Sequence, residues 1–288
     1  MNFVYKDNGI YISEADNFDI EQTFDCGQCF RFAKTENGSY SGIAHNRRIT
    51  LEKRNNGLFI SEMSMDEFNE TWLNYLCLNM DYNPIKSAIA TDDIIINAIK
   101  YASGIRILRQ DLWETIISFI ISQNNNIPRI KKIIENMCRS FGTCLNDNDY
   151  LFPTLSQLEH VTNQQLKDIG LGYRDEYIID AVNKIASGTI DLDELKSYDT
   201  QKARNVLMSI KGVGGKVADC ILLFSLSRYE VCPHDVWIKR IFKERYNLKT
   251  VNEKNGYELA TGKWGKYAGI AQQYLFYYER DNYSRQEK

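Results

Sequence analysis

The chain has 288 residues, of which 43% are hydrophobic and 25% are charged, a balance typical of soluble globular proteins and not of disordered ones. No apolar run approaches the roughly 18 residues that a membrane-spanning helix needs. The N-terminal residues do not resemble a secretory signal, so we expect a cytoplasmic protein with no membrane partner.

The first 60 residues predict an antiparallel sheet. Short segments rich in aromatic and β-branched residues are separated by turn signals such as Asn37-Gly38. These segments are GIYIS, QTFDCGQCFRFA, GSYSGIAH, RRITLEK and GLFIS. We therefore predict an N-terminal antiparallel β domain over residues 1–80.

From about Ser64 the apolar period becomes helical, since Met65, Phe68, Trp72 and Tyr75 recur at three- and four-residue intervals. Helical patterns continue almost to the end of the chain. The longer ones cover residues 84–102, 111–123, 127–141, 174–187, 200–210, 216–228, 235–246 and 264–279. The fold class that we predict is α+β, with a mostly α-helical region over residues 81–288.

The stretch from Ser209 to Lys239 is the most informative. A helix ends near Ile210, the turn KGVGG follows, and a second helix begins near Lys216, which is a helix-hairpin-helix pattern over residues 200–228. Gly212 and Gly214 permit the turn, and the second helix offers unpaired N–H groups that suit a phosphate. A nucleotide P-loop is excluded because Val217, and no Ser or Thr, follows the lysine.

Two residues in this stretch suit sugar chemistry. Lys216 opens a helix, where the dipole disfavours a cation, and a neutral amine is what attack on a sugar C1′ requires. Asp235 can cap the helix that begins near Val236, and an ionised carboxylate there could stabilise positive charge on a sugar as its base departs. Taken singly, Lys216 is better explained as a solvated surface lysine, and Asp235 as a simple helix cap.

The charge distribution favours a nucleic-acid partner although the formal net charge is −3. Between Thr200 and Ala218 there are four basic residues and no acidic one, and further basic residues follow between 239 and 249. The alternative is a set of ordinary solvated helix faces.

Several motifs occur together and in one order. They are CGQCFRF (26–32), LRQD (108–111), SQNNNIPRI (122–130), IGLGYR (169–174), GVGGKVADC (212–220), CPHDVW (232–237) and WGKYAGIAQQYLF (264–276). In this combination the chain resembles the helix-hairpin-helix DNA glycosylase superfamily. Within it, the chain is most similar to 8-oxoguanine DNA glycosylase/AP lyases of the eukaryotic type, in a form that some bacteria also carry.

The resemblance implies a role for each matching residue. Lys216 is the Schiff-base nucleophile and Asp235 its carboxylate partner. In base recognition, Gly27 presents its carbonyl to N7–H, Gln272 binds the Watson–Crick edge, and Phe276 and Cys220 cover the two faces. Residues that contact DNA and the opposite base are Asn124, Asn125, Arg129, Tyr173, Arg174, Gly212 and Gly214.

Each of these residues also has a plainer interpretation. Phe276 and Tyr173 could be ordinary aromatics, Cys220 a small buried side chain, and Gly27 a bulge between strands. Arg129 and Arg174 could be ion-pair residues. The sequence also departs from the animal pattern, because Trp237 replaces a histidine, Glu279 stands near the expected aspartate, and Lys211 replaces a proline.

The activity implied by the resemblance is excision of 8-oxoguanine from duplex DNA through a lysine Schiff base, followed by β-elimination, in base excision repair. We expect a monomer that prefers cytosine opposite the lesion, associates with the nucleoid and requires no cofactor. A monovalent or divalent structural cation at the hairpin is compatible with the family. No iron–sulfur cluster is expected, because no cysteine follows Cys232.

Two other functions remain open at this stage. One is a sister glycosylase acting on another damaged base, such as alkylated adenine or thymine glycol. The other is a non-catalytic module that uses the hairpin as a phosphate clamp. A zinc site is disfavoured, because the CxxC pair Cys26 and Cys29 has no second ligand pair.

Overall fold

The computed structural model describes residues 1–55 and 57–286, with side chains described up to residue 283. The chain forms two compact units, each built from separate segments. The first contains residues 1–28, 52–109 and 227–288, and the second contains residues 29–51 and 110–226. The predicted division near residue 80 was drawn by element type and stays a prediction.

The predicted antiparallel sheet is confirmed. Its six strands are β1 Asn2–Lys6, β2 Gly9–Ser13, β3 Phe32–Lys34, β4 Tyr40–Ala44, β5 Arg47–Arg54 and β6 Gly57–Ser61, in the order β1-β2-β6-β5-β4-β3. In the pairing of β2 with β6, Ile10 lies opposite Ile60 and Ile12 opposite Leu58. All four side chains are buried, so the alternating apolar pattern of these strands forms one side of the core.

Helices make up most of the remainder, as predicted. They are α1 Ile20–Phe24, α2 Met65–Glu67, α3 Leu73–Tyr75, α4 Tyr82–Ile89, α5 Asp93–Tyr101, α6 Leu112–Ser122, α7 Ile127–Phe141, α8 Leu155–Leu158, α9 Asn163–Asp168, α10 Asp175–Ala186, α11 Leu192–Ser197, α12 Thr200–Met208, α13 Gly215–Leu226, α14 Val236–Glu244, α15 Glu253–Trp264 and α16 Ala268–Gln286. A π-helical turn, Phe68–Trp72, joins α2 to α3. A second small sheet pairs β7 Cys144–Asn146 with β8 Asp149–Tyr150.

One predicted strand is wrong. The segment QTFDCGQCFRFA was expected to be a single strand, but its first residues belong to α1 and only its end enters β3. Asp19 starts the helix, since its side chain accepts from the Gln22 N–H at 2.9 Å. Gly27 then has φ +77°, which no strand residue adopts, so the chain turns before β3.

The helix-hairpin-helix lies within the second unit and has the predicted limits to within two residues. A buried ion pair between Arg204 of α12 and Asp219 of α13, at 2.8 Å, joins its two helices. Helix α13 packs on α6, where the rings of Phe119 and Phe224 stack with centroids 5.4 Å apart. The ion pair therefore joins the two helices of the hairpin, and the stacked rings join the hairpin to α6.

Within the described residues, none of the helices has the length and apolar character that crossing a membrane requires.

Candidate active site

The Gly27 loop belongs to the first unit and is held on both sides by buried hydrogen bonds. Gln28 donates to the carbonyls of Thr23 and Arg106, both at 2.8 Å, and accepts from the Leu108 N–H at 2.8 Å. Burial raises the pKa of the Cys26 thiol to about 11, so at neutral pH the thiol stays protonated and donates to the Thr23 carbonyl. The turn that contains Gly27 is thus fixed in position before any ligand arrives.

Helix α16 carries the other predicted base-recognition residues of this unit. Gln273 donates to the Cys26 carbonyl at 2.5 Å, which fastens α16 to the Gly27 loop. The neighbouring Gln272 is buried, and its Oε1 has no hydrogen-bond partner among the described residues. A buried acceptor without a donor costs about 1–3 kcal/mol, so Gln272 is prepared for a ligand that donates a hydrogen bond.

Phe276 lies one turn further along α16 and is half-buried. The Arg280 guanidinium lies 5.2 Å from its ring centroid and donates to the Asp25 carbonyl at 2.5 Å. Gln273 and Arg280 thus attach α16 to the residues just before Gly27. That Gly27, Gln272 and Phe276 line one base pocket stays a prediction.

Asp235 caps helix α14, as expected. Its Oδ1 accepts from the Ile238 N–H at 2.8 Å, and its side chain is half-buried. The helix dipole and this N–H both favour a negative charge at the cap position. The carboxylate is therefore available as a fixed anion at the start of a helix.

Lys216 belongs to the second unit, so the two predicted catalytic residues lie in different units. It is the second residue of α13 and is half-buried, with Nζ 5.7 Å from the centroid of the Phe119 ring. It makes no ion pair or hydrogen bond among the described residues. Cys220, one turn later on the same helix, is buried with 4% exposure.

The hairpin turn requires glycine at one position and leaves space at another. Gly212 has φ +77°, and a Cβ there would lie 2.4 Å from carbons of the Tyr177 ring. Gly214 is exposed, and a Cβ there would meet nothing within 4 Å. The structure therefore explains Gly212 by the turn itself, whereas Gly214 leaves its surface open to an external group.

The asparagine run lies between α6 and α7 and is held by Arg174. Asn124 is exposed with φ +47°, while Asn125 donates to the Ile121 carbonyl at 3.2 Å. Arg174 is buried and donates to the carbonyls of Gln123 and Asn124. Its guanidinium thus holds the main chain of the run, and a contact with an opposite base stays a prediction.

The predicted contact residues of this unit are continuous with the hairpin. Tyr173 is 52% exposed, and its ring packs edge-on against Tyr177, the ring that touches Gly212. The Arg174 guanidinium lies 4.6 Å from the Tyr173 centroid on the other side. Contacts through Tyr177 and Arg174 therefore connect the hairpin turn, Tyr173 and the backbone of Asn124. Arg129 is exposed in the first turn of α7, and its part in a DNA surface stays a prediction.

Comparisons with known proteins agree with this arrangement. A family model described as 8-oxoguanine DNA glycosylase, N-terminal domain, matches residues 10–116, and one described as HhH-GPD superfamily base excision DNA repair protein matches residues 117–266. An N-glycosylase/DNA lyase OGG1 from Arabidopsis thaliana is 32% identical over 88% of this chain and 75% of its own length. The chain belongs to the 8-oxoguanine DNA glycosylase family of the HhH-GPD superfamily.

Other members of the family match to different extents. An N-glycosylase/DNA lyase from Saccharomyces cerevisiae is 37% identical over 60% of this chain, and the match spans 56% of the yeast protein. A structure of the Clostridium acetobutylicum 8-oxoguanine glycosylase/lyase in complex with double-stranded DNA containing cytosine opposite 8-oxoG has a TM-score of 0.94 at 36% identity. It covers 98% of this chain and 99% of the Clostridium chain.

The two departures from the animal pattern of the family have local partners. Trp237 packs edge-on against Tyr283, with ring centroids 5.3 Å apart. Glu279 pairs with Arg245 at 3.7 Å. The histidine–aspartate pair is thus replaced by an aromatic contact and a separate ion pair.

Sequence reasoning missed the residues that hold the site together. Gln28 and Gln273 fix the Gly27 loop, and Arg204 with Asp219 fixes the hairpin. Both glutamines lie inside motifs that the resemblance used, next to the residues that were chosen. A polar residue inside an otherwise buried motif was the available signal, because such a residue needs an internal partner.

The described residues contain no group of three or more side chains suited to a metal, and the seven cysteines are all free thiols.

Proposed function

We propose that this protein is a bifunctional DNA glycosylase and AP lyase that excises 8-oxoguanine. The observation that carries the proposal is Lys216, an amine at the start of α13 with no acidic partner among the described residues. A structural lysine normally gains an ion pair or full solvation, whereas a nucleophile needs an accessible lone pair. The substrate assignment is supported by the names of the Arabidopsis and Clostridium relatives.

The reaction begins at the sugar. The Lys216 lone pair forms a bond to C1′ while the C1′–N9 bond breaks, and the base leaves with that electron pair and gains a proton. Asp235 stabilises the positive charge that develops on the sugar and remains ionised as the cap of α14. The first step thus removes the base and joins enzyme to DNA.

The lyase step follows from the same adduct. The sugar ring opens as O4′ takes a proton, which leaves an iminium between Lys216 and C1′. Loss of a C2′ proton then expels the 3′ phosphate by β-elimination. A duplex with a nicked strand and a hydrolysable enzyme adduct results.

The base pocket that we propose distinguishes 8-oxoguanine by hydrogen bonds. The Gly27 carbonyl accepts from N7–H, a donor that guanine lacks, and Gln272 accepts from the Watson–Crick edge through its unpartnered Oε1. Phe276 and Cys220 contact the two faces of the base. Sites built around a buried hydrogen bond reject analogues that lack it by about 10⁴-fold, which is enough to exclude guanine.

The DNA surface that we propose includes the hairpin and the asparagine run. The backbone at Gly212 and Gly214 accepts a phosphate at the start of α13, and Tyr173 wedges the stack. Asn124 and Asn125 fill the gap left by the flipped base, and Arg129 and Arg174 hold the orphaned base, preferably cytosine. The Clostridium complex with cytosine opposite 8-oxoG supports this preference.

No cofactor takes part in these steps, and we propose a monomer that acts at the nucleoid in the cytoplasm, where its substrate is. A cation at the hairpin stays a prediction. Two carbonyls of the turn already accept hydrogen bonds. The Ile210 carbonyl accepts from the Val213 N–H at 3.0 Å, and the Ser209 carbonyl accepts from the Lys184 Nζ at 2.5 Å.

The test is single-turnover excision from duplexes that differ only in the lesion. We expect release of 8-oxoguanine opposite cytosine, slower release opposite adenine, and no release of alkylated adenine or thymine glycol. A duplex with 8-bromoguanine, which has a bulky C8 group and no N7–H, should behave like guanine.

Each alternative has its own result in this assay. Preferential release of alkylated adenine or thymine glycol would identify a sister glycosylase and contradict the proposed substrate. Tight binding without release of any base would indicate a non-catalytic module. Excision of 8-bromoguanine at the 8-oxoguanine rate would show that the pocket recognises C8, against the role of Gly27.

A further inference from the structure

The second turn of helix α14 carries a cation, Arg240, whose position the proposed catalytic residues do not explain. Arg240 lies 5.3 Å from the ring centroid of Trp237 and 4.9 Å from that of Tyr283, and the two rings pack edge-on against each other. An arginine held by two aromatic rings has few alternative rotamers. The guanidinium is therefore oriented in advance.

The charge of Arg240 has no counter-ion in the part of the chain that the structure describes. Among the described residues it forms no ion pair, whereas the acid expected nearby, Glu279, pairs with Arg245. Ring faces attract the cation but leave the N–H donors of the guanidinium unsatisfied. An anion from outside the protein would accept hydrogen bonds from these N–H groups.

The first turn of α14, which precedes the turn of Arg240, exposes an apolar side chain beside the proposed catalytic carboxylate. Val236, which directly follows Asp235, has 76% of its surface exposed. An exposed valine alone needs no explanation. Beside an unpaired arginine and an exposed helix start, it indicates a surface that a bound partner covers.

We propose that Arg240, oriented by Trp237 and Tyr283, binds a phosphodiester of the damaged strand next to the flipped nucleotide. The proposal rests on the proposed function and deepens it, because Arg240 lies five residues after Asp235 and on the same helix. A phosphate held there fixes the sugar relative to the carboxylate. Trp237 is uncharged, so Arg240 adds positive charge to the helix that Asp235 caps, which also carries Lys239 and Lys243.

The experiment measures the salt dependence of binding to a duplex with a non-hydrolysable abasic analogue. Affinity falls as salt rises, and the slope of log affinity against log salt concentration becomes less steep by about 0.9 for each phosphate contact removed. Arg240→Gln should lower the slope by about one and weaken binding, and Trp237→Ala should do so in part by releasing the guanidinium. Arg240→Lys should restore the slope, because it restores the charge.

Arg54→Gln is the matched control. Arg54 also lies over a ring, 3.6 Å from the centroid of Phe59, but it pairs with Glu52 at 2.5 Å. Its slope should equal that of the wild type. A wild-type slope in Arg240→Gln would overturn the inference while leaving the proposed function intact, whereas failure of the wild type to bind the duplex would contradict the proposed function itself.

Discussion

At the scale of single residues, the proposed site contains two acceptors and one carboxylate that the fold holds in place. Gln272 presents an unpartnered buried oxygen, Gly27 lies in a turn fixed by hydrogen bonds, and Asp235 accepts from a helix N–H. These groups are in place before DNA binds. Reorganisation is therefore small, which is what electrostatic stabilisation of a transition state requires.

The charge of Asp235 can be removed with little change in structure. In Asp235→Asn the amide oxygen can still accept from the Ile238 N–H, so helix α14 should keep its cap. We expect the single-turnover rate of base release to fall about 10²-fold or more, because the developing positive charge loses its partner. Affinity for damaged duplex, measured by fluorescence anisotropy, should change much less.

The contradicting outcome for Asp235 is unchanged excision by the asparagine variant. Glu230→Gln is a suitable control, because it removes a carboxylate from the same connecting segment outside α14. It should excise at the wild-type rate.

The alanine variants of Arg129 and Arg174, the two arginines near the asparagine run, should differ in their free energy of unfolding. Arg129→Ala and Arg174→Ala should both lower the ratio of excision opposite cytosine to excision opposite adenine. Arg174→Ala alone should also lower the free energy of unfolding, by about 1–3 kcal/mol, because carbonyls of Gln123 and Asn124 lose their donors. Urea denaturation and a paired-duplex excision assay measure the two effects, and an unaltered ratio in both variants would count against opposite-base contact.

At the scale of elements, the two glycines of the hairpin turn have different roles, since the fold requires Gly212 and the proposed DNA binding requires Gly214. Gly212 has a positive φ and abuts the Tyr177 ring, whereas Gly214 has open space. Gly212→Ala should lower the free energy of unfolding by about 1–3 kcal/mol, through backbone strain and the steric clash.

Gly214→Ala is its matched partner. It should change the free energy of unfolding by about 1 kcal/mol or less, yet weaken duplex binding, because the new methyl group occupies the space that a phosphate would approach. Thermal denaturation measures the stability of the variant, and fluorescence anisotropy measures its affinity for the duplex. Wild-type affinity in a stably folded Gly214→Ala variant would remove this turn from the DNA surface.

The helices could be predicted from sequence far better than the segment around Gly27. Helices such as α7 and α13 have clear apolar periods and helix-start signals, and their limits were predicted to within two residues. The QTFDCGQCFRFA segment has aromatic residues typical of a strand, but Asp19, three positions before its first residue, starts a helix instead. Tertiary hydrogen bonds fix the turn, from Gln28 to the Arg106 carbonyl and from Gln273 to the Cys26 carbonyl, and such distant partners leave no periodic signal.

Short elements were missed for a related reason. Strands β1, β7 and β8 contain few buried apolar residues, so they lack the alternation that predicts a half-buried strand. The helix start at Lys216 and the helix cap at Asp235 were predicted correctly, because such local settings depend on neighbours in sequence. Their catalytic roles stay a prediction. The contacts of Arg174 were not predictable, since its partners lie 50 residues away in the chain.

At the scale of the whole molecule, we expect stability to depend on pH through Glu114, a half-buried acid distant in sequence from Lys216 and Asp235. Burial raises the pKa of Glu114 to about 7, and the nearby Asp111 adds to the shift although Arg31, 3.8 Å away, opposes it. A raised carboxyl pKa means that the folded state binds the proton more tightly than the unfolded state. The stabilisation is therefore complete below pH 4.5, the ordinary value, and is lost as pH rises through 7.

Glu114→Gln should remove this dependence. The wild type should lose up to about 3 kcal/mol relative to the glutamine variant as pH rises through this window. Urea denaturation at a series of pH values measures the difference, with Glu135→Gln, an exposed acid on α7, as the control. Parallel stability curves for the wild type and Glu114→Gln would disprove the assignment.

Borohydride trapping tests most directly whether Lys216 is the nucleophile. Borohydride reduces an iminium to a stable amine, so the wild type should yield a covalent protein–DNA adduct with an 8-oxoguanine duplex. Lys216→Gln should yield none while still binding the duplex, and Lys6→Gln, which changes another lysine that lies over an aromatic ring, should trap normally. An adduct of wild-type yield from Lys216→Gln would contradict the account.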